Sequence, residues 1–115
     1  MDQAFLTKES TLFSRQGGGI LLEDWLKVRS STPGLAVDES VEVIDPRTAH
    51  STVLAIPHGA SFGLNHGRKA MFRWVNGRVS FDFAGGSEFQ DLLRSILSEL
   101  ECNVFDEEGE EIVLG

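Results

Sequence analysis

Cysteine occurs once in the 115 residues, as Cys102, so no disulfide can form within the chain and a scaffold stapled by several bridges is excluded. Long apolar runs are missing as well: none approaches the ~20 residues that a membrane-crossing helix needs. The first ten residues, M-D-Q-A-F-L-T-K-E-S, have neither the basic start nor the apolar core of a secretory signal, so a cytoplasmic protein is expected. Acid is absent between Asp45 and Asp82, where Arg47, Arg68, Lys69, Arg73 and Arg78 fall. Base is absent from Glu99 to Glu111, where Glu99, Glu101, Asp106, Glu107, Glu108, Glu110 and Glu111 fall. The chain thus has a basic middle and an acidic end. Its net charge of −8 repels phosphates and anionic lipid surfaces, which argues against nucleic acid and membranes as partners and favours a basic one.

What is present is enough for one ordinary globular domain over residues 1–115. Hydrophobic residues make up 41% and charged residues 24%, too apolar for disorder. The strongest local signal is A-M-F-R-W-V-N-G-R-V-S-F-D-F, Ala70 to Phe83. Asn76-Gly77 favours a two-residue type I′ turn, because both central residues need φ > 0. Counting outward pairs Val75 with Arg78, Trp74 with Val79, Phe72 with Phe81 and Ala70 with Phe83. One face then carries Trp74, Phe72, Ala70, Val79, Phe81 and Phe83; the other carries Val75, Arg73, Met71, Arg78, Ser80 and Asp82.

The spacing of Phe89, Leu92, Leu93, Ile96, Leu97 and Leu100 predicts a helix over Ser87–Leu100, with Ser87 and Gln90 at capping-box spacing. Burying that stripe contributes on the order of 10 kcal/mol before chain entropy is subtracted. A shorter helix is expected over Leu21–Arg29, built on Leu22, Trp25 and Leu26, with Glu23 and Asp24 in the first turn where they suit the helix dipole. Strands are expected near Phe5–Phe13, Val41–Ile44, Ser51–Ile56 and Cys102–Phe105, and a loop or irregular edge over His58–Gly67. The predicted fold is α+β: a mostly antiparallel sheet with two helices packed on it in a single two-layer domain.

Chemistry-bearing residues form no coherent set. His50, His58 and His66 recur every eight residues, but the local ligand pairs of a zinc site are missing. Gly59-Ala60-Ser61-Phe62-Gly63 matches the nucleophile-elbow pattern, yet a hairpin rather than a helix follows it, and the chain is short for that fold. Cys102 is flanked by acids, which raise a thiol pKa and oppose a thiolate. The glycines Gly17-Gly18-Gly19 lack the lysine or hydroxyl residue of a phosphate loop. No metal, cofactor or enzymatic activity is expected. The rivals are a small hydrolase or transferase using His58, Ser61 or Cys102, and an adaptor or secretion chaperone, whose sign would be an exposed apolar groove and a dimer.

Two segments carry a resemblance. Ile20-Leu21-Leu22-Glu23-Asp24-Trp25-Leu26, stopped by Ser31-Thr32-Pro33, is similar to an I-S-L-E-E-W-L pattern of small bacterial cytoplasmic proteins. Cys102 to Glu111, C-N-V-F-D-E-E-G-E-E, is similar to their final strand and D-E-G-E-E turn. The chain has Leu21 where the pattern has a capping serine, and one extra acid in the turn. Through these two segments the chain resembles the immunity proteins of polymorphic toxins. The resemblance implies a protein that binds and neutralises a secreted bacterial toxin. Charge adds that the toxin's surface would be basic and that Glu99, Glu101, Asp106, Glu107, Glu108, Glu110 and Glu111 would face it.

Overall fold

The computed structural model describes residues 2–9, 18–64 and 67–114. The elements are β1 (Asp2–Thr7), α1 (Leu22–Ser31), β2 (Leu35–Val37), β3 (Ser40–Ile44), β4 (Ser51–Ala55), β5 (Ala60–Gly63), β6 (Lys69–Val75), β7 (Arg78–Phe83), α2 (Ser87–Leu100) and β8 (Asn103–Asp106). Among the described residues six strands form one sheet in the order β2-β5-β6-β7-β1-β8, antiparallel throughout, while β3 and β4 pair only with each other. The fold is α+β, as expected.

The hairpin β6–β7 has the predicted register at Val75–Arg78, Trp74–Val79 and Phe72–Phe81; the ladder stops there, short of Ala70–Phe83. Asn76 and Gly77 take φ of 51° and 82°, the two positive values that the turn requires. Its aromatic face meets both helices. Phe89 of α2 packs within 6.2 Å, centroid to centroid, of Phe72, Phe81 and Phe83, and Trp25 of α1 lies 6.3 Å from Phe72. Both helices therefore cover one face of the sheet, and Ala4, Leu6, Val79, Leu93, Ile96 and Val104 complete the buried core between the layers. The opposite face carries Gln3, Phe5, Met71, Arg73, Val75, Arg78, Ser80 and Asp82, none of them fully buried.

Three expectations need correction. The capping box at Ser87 and Gln90 is not formed: Ser87 is already helical, Gly86 takes the cap position at φ 87°, and no side chain bonds the first turn. The segment His58–Gly67, expected to be a loop or irregular edge, contains β5, an interior strand that pairs with β2 on one side and β6 on the other. These two strands of three and four residues have no periodicity of their own, and neighbours impose their extended form. The first strand ends at Thr7; its expected continuation from Ser10 to Phe13 lies outside the described residues.

Candidate partner-binding surface

The acidic end is held by its own backbone. Asp106 closes β8, and its Oδ1 accepts hydrogen bonds from the N–H groups of Glu108 and Glu110, each at 2.9 Å. The Gly109 N–H donates to the Asp106 carbonyl at 3.1 Å, and the Asp106 N–H to the Glu110 carbonyl at 2.9 Å. The chain then returns along β8, with a bridge between Phe105 and Glu111 and a bond from the Ile112 N–H to the Val104 carbonyl at 2.8 Å. Glu107 accepts from the Gln3 N–H at 2.9 Å and so ties the turn to β1. Glu107, Glu108, Glu110 and Glu111 are all exposed, on a turn with little entropy left to lose.

Glu99 and Glu101 belong to a second group. They stand at the C-terminal end of α2, separated from the turn by the length of β8, roughly 14 Å at strand rise. A helix C-terminus is where negative charge is least welcome, and no basic residue occupies the last turn of α2. The seven acids that are contiguous in sequence thus form two groups at opposite ends of one edge strand.

Among the described residues neither group forms an ion pair with Arg68, Lys69 or Arg73. Arg73 lies on the face of β6 opposite the helices, three strand positions from β8 or about 14 Å. Lys69 instead pairs with Asp38, Nζ to Oδ2, at 2.6 Å. A shallow hollow of about 330 Å³ runs between Phe5, Arg73, Val75, Arg78 and Ser80 on that same face. The acidic turn and Arg73 therefore lie apart, at different places on the sheet.

The candidate chemical residues do not converge. Ser61, on β5, is buried on the sheet face opposite the helices, which it shares with Met71, its register partner. It also bonds the carboxylate of Asp38, which the Lys69 hydrogen bond holds below the usual carboxylate range. His58 packs its ring edge-on against Trp74 at 6.0 Å, while its carbonyl accepts from the Trp25 Nε1 at 2.7 Å and its N–H donates to Glu39 at 3.2 Å. Cys102 precedes β8, four strand positions from Ser61 or about 19 Å. Burial first of all pushes its thiol up to about 12, and Lys8 acts weakly in the opposite direction. Burial, rather than the neighbouring carboxylates expected to do so, opposes the thiolate. His50 is exposed, and His66 lies outside the described residues. Among the described residues no three His, Cys, Asp or Glu side chains gather as metal ligands.

Gly18 has a packing role. Its N–H donates to the Asn76 carbonyl at 3.1 Å, and its carbonyl accepts from the Lys8 N–H and the Thr7 hydroxyl. A Cβ on Gly18 would sit 2.1 Å from the Gly77 oxygen, so glycine is needed for the close approach of two backbones. Gly17 lies outside the described residues.

One surface was not foreseen from the sequence. Val43, Ile44, Val53 and Leu54 are 46%, 60%, 67% and 49% exposed, all on the β3–β4 ribbon. The residues Val41, Val43 and Ile44 and the run Ser51–Ile56 predict strands, and only the topology reveals that among the described residues the ribbon joins no further strand. Comparison with protein-family models, curated proteins and solved structures finds no match.

Proposed function

We propose that the protein is a cytoplasmic immunity protein that binds a secreted bacterial toxin and blocks its active site by steric and electrostatic occlusion. The observation that carries this reading is the acidic turn Asp106–Glu111. It is fixed by hydrogen bonds to its own backbone and to β1, and exposed at four carboxylates. A solubilising acidic tail needs charge but no fixed shape. A surface that must enter a basic cleft gains from both, since steering speeds encounter and prior order reduces the entropy lost on docking. The resemblance of Ile20–Leu26 and Cys102–Glu111 to immunity proteins supports the same reading. A specific interface takes about 800 Å² from each partner, more than one turn can supply. The hollow beside the turn, lined by Gln3, Asp106, Glu107 and Glu108, is the natural extension of the contact.

The test is co-expression with a neighbouring toxin gene, followed by pull-down and a growth assay. A stable complex and protection from toxicity are the expected result. A toxin that neither binds nor is neutralised would sink the proposal.

A further inference from the structure

The geometry points to a dimer of this chain formed by antiparallel pairing of β4 with β4 of a second copy, centred on Val53. The starting observation is an edge left open. Among the described residues β3 and β4 pair only with each other, and nine of their ten residues are exposed. An isolated two-stranded ribbon is marginal in water, and stability comes with further strands. The sheet's own edges are blunted: β2 has three residues, and the outer side of β8 carries the returning Glu111–Ile112 segment. The ribbon has none of the usual protection. S-V-E-V-I and S-T-V-L-A contain no lysine and no proline, and Glu42 is their one charged residue.

The register decides which ribbon edge can pair with itself. The Asp45 N–H donates to the His50 carbonyl, and the Ile56 N–H to the Glu39 carbonyl. By the alternation of an antiparallel ladder, Val41, Val43, Thr52 and Leu54 then turn their backbone groups inward. Ser51, Val53 and Ala55 turn theirs outward on the β4 edge; Ser40, Glu42 and Ile44 do so on the β3 edge. A two-fold axis at Val53 sets Val53 opposite Val53 of the second copy, and Ser51 opposite Ala55 in both directions. Six backbone hydrogen bonds form, with no charged side chain in the seam. The same operation on β3 would set Glu42 against Glu42, a like-charge pair directly opposite and therefore destabilising. Charge thus selects β4, and an isologous contact closes at two copies. The result is a four-stranded sheet, β3-β4-β4-β3, with the most exposed large hydrophobic residue of the ribbon at its centre. Five residues make a small interface, so the dimer belongs to the weak, concentration-dependent class.

Sedimentation velocity on the full chain from about 10 µM to about 1 mM should show monomers giving way to dimers by mass action. Val53→Lys, which sets two ammonium groups across the axis, should raise the dissociation constant at least about tenfold. An equimolar mixture of Val53→Lys and Val53→Glu chains should recover dimers that neither forms alone, a result that misfolded variants could not give. Across the axis the Cα atoms would stand about 5.5 Å apart, within disulfide reach, so Val53→Cys should oxidise to a covalent dimer much faster than Glu42→Cys. A chain that stays monomeric throughout, a dimer indifferent to Val53→Lys, or equal cross-linking at the two positions would each overturn the assignment. The first would leave the edge to a strand of another protein.

Discussion

The indole Nε1 of Trp74 donates a hydrogen bond to the carbonyl of Ile20 at 2.9 Å, across 54 residues of chain. The Ile20 N–H donates in turn to the Gly77 carbonyl at 3.0 Å, so the hairpin holds both backbone groups of the residue that leads into α1. Trp74→Phe keeps most of the ring and removes the donor. Ile20 is 1% exposed, so its carbonyl would be left buried and unpaired. The expected cost is about 1–3 kcal/mol. Urea denaturation followed by the fluorescence of Trp25, the remaining tryptophan, measures it.

That contact also marks the limit of what the sequence discloses. The register of Phe72, Trp74, Val79 and Phe81 could be counted from Asn76-Gly77 because a two-residue turn leaves one way to pair the strands. The stripe on α2 was legible because six apolar residues repeat at helical spacing. The strand order was not, because the pairing of β1 between β7 and β8 depends on contacts more than 70 residues apart. Of the candidate surface, the carboxylates could be named from Glu99 to Glu111. Their division by the length of β8 could not, since it depends on where α2 ends and on the direction in which β8 leaves it. The ribbon escaped for a related reason: V-E-V-I and T-V-L-A look the same in sequence whether a sheet covers them or water does.

Gly18→Ala should destabilise the protein more than Gly85→Ala. Both add one methyl group, but the physics differs. At Gly85 the new Cβ meets open space and the cost comes only from φ 72°. At Gly18 it would approach the Gly77 carbonyl to 2.1 Å, and both partners are backbone. Overpacking of that kind costs about 1–3 kcal/mol or more, against roughly 1 kcal/mol for an alanine held at positive φ. Thermal melts of the two variants beside the parent chain give the comparison.

Cys102 should react slowly with a thiol reagent at neutral pH and quickly once the chain is unfolded, because the folded thiol holds its proton up to about pH 12. The same shift fixes a sign. Above the ordinary thiol value of 9.0 the unfolded chain loses this proton while the folded chain keeps it. The stability that the thiol contributes is complete below pH 9 and falls as pH rises toward 12. The difference in unfolding free energy between the parent and Cys102→Ala should therefore narrow as pH rises through that window. A difference that stays constant from neutral pH to the alkaline end would contradict the buried, protonated thiol.

Reversing charge at Glu108, Glu110 and Glu111 tests the turn as the toxin-facing surface without disturbing what holds it. Glu107 is left alone, because its carboxylate secures Gln3 of β1. Substitution of the three by lysine should slow association with a basic partner by about tenfold or more at low salt and flatten its dependence on ionic strength, with a smaller change in dissociation. Glu99 and Glu101 supply the contrast. Placed at the C-terminus of α2, they oppose its dipole, so lysine at either position should stabilise the free protein by about 0.3–1 kcal/mol. If those two also touch the toxin, the same variants will be more stable and yet bind more slowly. Stopped-flow association and urea melts on one set of proteins separate the outcomes: slower binding only in the 108–111 variant places the toxin at the turn, and slower binding in both extends the contact along the whole β8 edge.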